Sequence, residues 1–174
     1  MADLSCAAPA VGLERPRVPR SVLTRLLGAA TAAALGVDSY VHARDAGFYD
    51  AVQTSVLSQG TLFRLEAAVA GVIAVALLIR PSRIWFAAAF LVAASALGAV
   101  LLYTYVDVGS LGPLPNMYEP TWALPGKPAS AWAEGAGVVL AATGLLTTWR
   151  ARALRPAPAD GGRPSERPQP PARR

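Results

Sequence analysis

Four long apolar runs are the feature of this sequence that most constrains its fold. They cover about residues 22–42, 60–79, 84–106 and 129–149. A helix rises about 1.5 Å per residue, so about 20 apolar residues cross the roughly 30 Å hydrocarbon core of a bilayer. The runs are rich in alanine and leucine and lack two-residue alternation, which argues against the strands of a membrane barrel. The sequence therefore predicts an all-α protein, a transmembrane four-helix bundle.

The composition agrees with residence in a membrane. Of the 174 residues, 53% are hydrophobic and only 16% are charged, whereas about 25% are charged in an ordinary soluble domain. The net charge is +5, but the basic residues flank apolar runs, so nucleic acid is not a predicted partner. The single cysteine, Cys6, excludes a disulfide framework within the chain, and the single histidine, His42, excludes a bis-histidine haem within it.

The chain divides into a transmembrane domain, residues 21–149, and two terminal tails, residues 1–20 and 150–174. Both tails are rich in proline and arginine, a composition that predicts disorder. We expect their arginines to attract anionic lipid headgroups. An alternative interpretation makes the first apolar run a signal peptide. That run continues past LLGAATAAALG without a clean cleavage site, so we prefer a spanning helix.

Basic residues in the connecting segments predict an orientation, because they are retained near span ends on the cytoplasmic side. Three segments carry most of them: Arg15, Arg17, Arg20 and Arg25 in the N-terminal segment, Arg80 and Arg83 between spans two and three, and Arg150, Arg152 and Arg155 after span four. The two remaining loops have one basic residue each, beside acidic residues. Both termini are therefore predicted to be cytoplasmic, in a bacterial plasma membrane.

The few ionisable residues of the spans fall at similar depth, near the predicted extracytoplasmic ends. Charged side chains in hydrocarbon are costly and face the bundle interior, so these residues form a predicted polar layer. Its members are Asp38, His42, Arg64, Glu66, Tyr103, Asp107 and Glu134. Helical spacing places Asp38 and His42 on one face, one turn apart. We expect Arg64 to pair with Asp38 or Asp107.

The second extracytoplasmic loop, GSLGPLPNMYEPTWALPGKP, is stiffened by prolines. Its amphipathic side chains, Met117, Tyr118 and Trp122, suit the level of the lipid headgroups. Two interpretations stay open for this loop. It is an interfacial loop, or it is a lid in which Glu119 and Trp122 close over the mouth of the bundle.

Three functions fit the polar layer. The leading one is a structural network in a non-enzymatic protein that is structural or accessory to a larger membrane complex. The second is a proton- or cation-linked pocket for a small solute or divalent metal, and the third is a membrane redox accessory role. No catalytic motif and no cofactor are predicted, and the metal is left open. The expected partners are the bilayer and either a second copy or a membrane complex.

Residues 37–70 resemble a family of small four-span integral membrane proteins of high-GC actinobacteria. In that family span one ends in a histidine-containing segment, a Gly-aromatic loop follows, and span two opens with a Leu-Phe pair and a polar residue. The matching positions are His42, Gly47, Phe48, Leu62, Phe63 and Glu66, together with Glu119, Pro120 and Trp122 in the second outer loop. The predicted arrangement of four spans is also similar to that of DoxX-like proteins, in topology alone. The resemblance implies a four-span fold and no established activity.

Overall fold

The computed structural model describes residues 20–153, and this part of the chain is helical without β-strands. The four long helices are α1 (Arg20–Asp45), α2 (Gln59–Ile79), α3 (Arg83–Tyr105) and α4 (Lys127–Ala153). A short 3-10 helix, Ala46–Tyr49, follows α1. The prediction of disordered tails is wrong at their inner ends, because Arg20 begins α1 and residues 150–153 continue α4. The rest of both tails, with their expected lipid contacts, lies outside the described residues.

All four long helices are long and apolar enough to cross a membrane. The qualifying segments are Ser21–Tyr49, Gln59–Ile79, Arg83–Tyr105 and Lys127–Trp149. The shortest has 21 residues, which at 1.5 Å per residue reaches about 30 Å. The predicted all-α class and the four-helix transmembrane bundle are confirmed, and the chain is a multi-pass membrane protein.

The helices pack in the cyclic order α2, α1, α4, α3, and the contact that closes the ring, between α3 and α2, is the least extensive of the four. The core contains a set of fully or almost fully buried side chains, mostly small: Leu35, Ala70, Ala74, Leu77, Phe86, Ala89, Ala93 and Ala141. In lipid there is no hydrophobic driving force that brings helices together. Small residues let the helix backbones approach closely, so that van der Waals packing holds the helices together instead. The alanine-rich composition of the spans is therefore what makes close packing available.

The two ends of the bundle differ in their connections. Residues 80–82 join α2 to α3, whereas residues 46–58 join α1 to α2 and residues 106–126 join α3 to α4. We call the end that carries the two longer connections the long-loop end. The helices α1 and α3 finish there, and α2 and α4 begin there.

Gly126 allows the start of α4 to lie close to the end of α1. Its φ of 92° lies in the left-handed region that glycine adopts without strain. A Cβ at this position would run into the side chains of Arg44 and Asp45, so the close approach also requires glycine. The Gly126 carbonyl then accepts a hydrogen bond of 2.8 Å from the Ser130 backbone N–H. The first turn of α4 is thereby held beside the last turns of α1.

Candidate functional site

Four polar side chains from α1 and α4 meet inside the bundle near the long-loop end. Asp38, His42, Ser130 and Glu134 are all buried, and Asp38 and Glu134 are each only 1% exposed. His42 Nδ1 lies 2.9 Å from Asp38 Oδ1. Ser130 Oγ lies 3.2 Å from Asp38 Oδ1 and 2.5 Å from Glu134 Oε1. We call these four residues the acid–histidine cluster.

Helical spacing builds the cluster from two faces. Thr31, Leu35, Asp38 and His42 follow a three-four spacing on α1, and all four are buried, as that spacing predicts. Ser130 and Glu134 are one turn apart on α4, a relation that brings side chains together. The register between the two helices then places Ser130 between the two carboxyl groups.

The hydrogen bonds of the cluster are incomplete. Asp38 Oδ2 and Glu134 Oε2 are buried and have no hydrogen-bond partner among the described residues. Ser130 contributes one hydroxyl proton, so it donates to only one of the two carboxyl groups at a time. Buried polar groups are normally paired because an unpaired one is costly. A proton or a cation bound at the cluster would give these two oxygens a partner.

The cluster also has the composition of a metal site. One ligand atom from each of Asp38, His42 and Glu134 lies within 4.8 Å of the other two. Ligands that bind one tetrahedral zinc ion at about 2.0–2.2 Å lie about 3.3–3.6 Å apart, so the three side chains would have to close in by up to about 1.4 Å to bind such an ion together. Imidazole nitrogen with carboxylate oxygen is a donor set for divalent transition metals.

A cavity of about 430 Å³ adjoins the cluster, between the long-loop halves of α2 and α3. His42 and Ser130 form part of its wall, next to Phe63, whose ring meets the imidazole edge-on at 4.8 Å between centroids. Two predicted residues, Glu66 and Tyr103, also line the cavity. Glu66 Oε1 is buried and has no hydrogen-bond partner in the described part of the chain. Glu66 therefore lines the cavity and takes no part in the hydrogen bonds of the cluster.

Arg64 does not pair with Asp38 or Asp107, so that prediction is wrong. Its guanidinium is exposed and forms an ion pair with Asp50, with Nη2 2.7 Å from Oδ2. The hydrogen bond from Arg64 holds the pKa of the Asp50 carboxyl below its ordinary value. The reason for the difference is rotational, since a residue two positions before Glu66 points about 200° away from it around the helix. Arg64 consequently faces the α1–α2 connection.

Asp107 does not lie in the polar layer either. The helix α3 ends at Tyr105, and Val106 adopts an extended conformation with φ −131° and ψ 120°. Asp107 is exposed, and its Oδ1 accepts hydrogen bonds from the Gly109 backbone and the Asn116 side-chain amide, each at 3.1 Å. The helix α3 therefore ends before Asp107, which was predicted to belong to the polar layer and instead organises the following loop.

The α3–α4 loop folds back over the long-loop end. The Glu119 backbone N–H donates to the Tyr103 carbonyl at 2.9 Å, and Lys127 Nζ donates to the carbonyl oxygens of Glu119 and Thr121. Glu119 lines the cavity. Trp122 instead packs beside Lys127, whose Nζ lies 5.2 Å from its ring centroid. Glu119 of the loop thus lines the cavity, whereas Trp122 of the loop packs beside Lys127, the first residue of α4.

Sequence reasoning missed several residues of this region. Ser130 joins the two carboxyl groups, and its position four residues before Glu134 was the signal that could have revealed it. Asp45 is buried and forms an ion pair with Arg44, with Oδ1 2.7 Å from Nε. Gln59 is buried and lines the cavity. Helical spacing could have revealed both, because Asp45 lies three residues after His42 and Gln59 lies seven residues before Glu66.

Comparisons with protein-family models, with curated proteins and with solved structures give no match to this chain. Its function is therefore argued from the geometry of the acid–histidine cluster and of the cavity beside it.

Proposed function

We propose that this chain is a non-enzymatic plasma-membrane protein that binds a divalent transition-metal cation through Asp38, His42 and Glu134. The observation that carries the proposal is the convergence of these three buried side chains while two carboxylate oxygens lack partners. A cation would supply both the missing partner and the missing positive charge.

The charges around the cluster support the same proposal. The basic side chains of the long-loop end are engaged elsewhere: Arg44 with Asp45, Arg64 with Asp50, and Lys127 with backbone carbonyls. Within residues 21–149, His42 is the only basic side chain in contact with Asp38. Two buried carboxyl groups beside one imidazole need a further proton or cation to remain buried.

A structural network is the second candidate, and the Ser130 contacts favour it. The hydroxyl joins α1 to α4 through Asp38 and Glu134, as expected of a polar tie between helices. In that case one carboxyl group holds a proton and no metal binds. The two candidates therefore differ in their response to metal ions.

Zinc is expected to stabilise the purified full-length protein against heat. By mass action a ligand at about 100 times its Kd adds about 2.7 kcal/mol to the free energy of unfolding. Calcium should have little effect, because it prefers six to eight oxygen ligands. The measurement is the melting temperature in detergent after chelation, with and without each ion, together with the zinc content per chain.

The variants Glu134→Gln and Asp38→Asn should lose the zinc response, since each removes one ligand charge and keeps the side-chain size. Asp107→Asn is the matched control, because it removes one carboxylate at the same end of the bundle outside the cluster. An unchanged melting temperature with zinc in the wild type, or an equal rise in Glu134→Gln, would contradict metal binding and favour the structural network.

The proposed orientation places both termini in the cytoplasm and the long-loop end outside the cell. Ala123 is exposed in the α3–α4 loop, so Ala123→Cys in a Cys6→Ser background should react with a membrane-impermeant maleimide on intact cells. The wild type carries its only cysteine, Cys6, near the N-terminus and should react only after permeabilisation. The reverse labelling pattern would overturn the orientation.

A further inference from the structure

We infer that the cavity between α2 and α3 is a second binding site, which takes a lipophilic organic amine from the bilayer and holds its ammonium group against Glu66. This inference does not rest on the proposed metal site, because Glu66, a carboxylate outside the acid–histidine cluster, carries it, although His42 and Ser130 of that cluster also line the cavity. Four features of the cavity support it: its size, its opening, its charge and its aromatic lining.

The size and lining suit a small amphipathic molecule. A volume of about 430 Å³ falls in the range of about 300–1,000 Å³ that is usual for small-molecule sites. The walls are largely apolar, with side chains such as Leu62, Phe63, Val69 and Val100. Sites of this kind combine apolar walls with a few polar groups that orient the ligand.

The opening of the cavity faces lipid. Leu65 and Val69 of α2 line the cavity and are 61% and 39% exposed, and Ser95 and Ala99 of α3 are exposed lining residues as well. Leu65 and Val69 lie about 9–15 Å along the axis from the start of α2 at Gln59. In a membrane-spanning helix, side chains exposed at that depth face acyl chains. A ligand that partitions into the bilayer therefore has a direct route between α2 and α3.

The route from the aqueous side is covered by the α3–α4 loop. Met117, Glu119 and Pro125 line the cavity from this loop. The hydrogen bond from the Glu119 N–H to the Tyr103 carbonyl fastens the loop to α3. Lateral entry consequently needs no movement of the loop.

The charge of the cavity selects a cation. Glu66 and Glu119 line it, and neither forms an ion pair among the described residues. Lys127 lines it too, but its ammonium group is bonded to two backbone carbonyls. A ligand ammonium group would donate a charge-assisted hydrogen bond to Glu66, which is stronger than a bond between neutral groups.

Aromatic side chains offer a second contact for the same group. Phe63, Tyr49 and Tyr103 line the cavity, and the Tyr49 and Phe63 rings pack at 4.8 Å between centroids. The faces of aromatic rings attract cations, most strongly where water is excluded. The site therefore combines one carboxylate with aromatic surface, which is chemistry suited to an amine that carries an apolar body.

The test compares 6-phenylhexylamine with its neutral counterpart 6-phenylhexanol. Each is titrated into the full-length protein in lipid nanodiscs, and titration into empty nanodiscs is subtracted. The wild type should bind the amine at least about tenfold more tightly than the alcohol, since a hydrogen bond to a charged group is worth at least that factor. Equal binding of the two compounds would overturn the inference.

Three variants locate the site. Glu66→Gln should abolish the preference for the amine, and Asp107→Asn, which removes a carboxylate outside the cavity, should keep it. Ala99→Phe fills the lipid-facing opening and should weaken both compounds. Full amine binding in Glu66→Gln or in Ala99→Phe would exclude this cavity as the site, and Ala99→Phe decides the case even if Glu66→Gln folds poorly.

The proposals for the amine site and for the metal site can be refuted by different results. Glu134→Gln should lose the zinc response and keep the amine preference. Glu66→Gln should keep the zinc response and lose the amine preference. Zinc binding without amine selectivity refutes the cavity site alone. Amine selectivity without zinc binding refutes the metal site alone.

Discussion

Phe86→Ala is expected to lower the free energy of unfolding by about 3–5 kcal/mol, the usual range for a buried aromatic side chain replaced by alanine. Phe86 is completely buried and lies where α3 crosses α4. Its ring occupies the space next to Gly144, where a Cβ would overlap three of its carbon atoms. Lipid provides no hydrophobic drive for helix association, so lost packing and the new cavity account for the effect. The measurement is equilibrium unfolding as the mole fraction of a denaturing detergent in the micelles is raised.

Ile84→Ala is the matched control for Phe86→Ala, because Ile84 lies in the same turn of α3 and is 68% exposed. Its expected effect is small. Gly144→Ala should itself destabilise the wild type, since added volume in a tight contact typically costs about 1–3 kcal/mol. In the Phe86→Ala background the same change should be almost neutral. Equal effects of Gly144→Ala in both backgrounds would show that the two residues do not share this space.

His42→Leu is expected to lower the free energy of unfolding by about 3–5 kcal/mol in the metal-free protein. The change removes the basic partner of Asp38 and leaves a buried carboxylate with only the shared Ser130 hydroxyl. Removing one partner of a buried ion pair typically costs this much, because the remaining charge is uncompensated. The measurement is denaturing-detergent unfolding at neutral pH in the presence of chelator.

Asp38→Asn in the His42→Leu background should recover part of the lost stability, because it removes the uncompensated charge. Arg64→Leu is the contrasting control, since its ion pair with Asp50 is exposed and exposed pairs contribute little. If His42→Leu and Arg64→Leu unfold alike, the acid–histidine cluster does not contribute to stability. If Asp38→Asn adds a further loss, the imidazole is not compensating the Asp38 charge.

The architecture was accessible from the sequence because each span is a local property of the chain. Length, apolar content and the missing two-residue alternation predict each helix without reference to its neighbours. The same locality explains why the pairing of Asp38 with His42 was predictable, since both lie on one helix one turn apart. Helical geometry alone brings such a pair together.

Contacts between helices were less predictable, and Arg64 illustrates why. Charge and depth favoured Asp38 or Asp107 as its partner, but its partner is Asp50, in the connection after α1. Depth in the membrane specifies one coordinate of a side chain. The direction in which that side chain points depends on the rotation of its helix, which the packing of all four helices sets.

The number of spanning helices, their approximate ends and the spacing of their polar residues follow from the amino-acid sequence alone. Helix packing was needed to show that Ser130 bridges Asp38 and Glu134, that Asp107 belongs to a loop, and that a cavity opens between α2 and α3. The physical reason is the range of the interactions. Periodicity along one helix is local, whereas Asp38 and Ser130 are 92 residues apart in the chain and meet only through the register and rotation of packed helices.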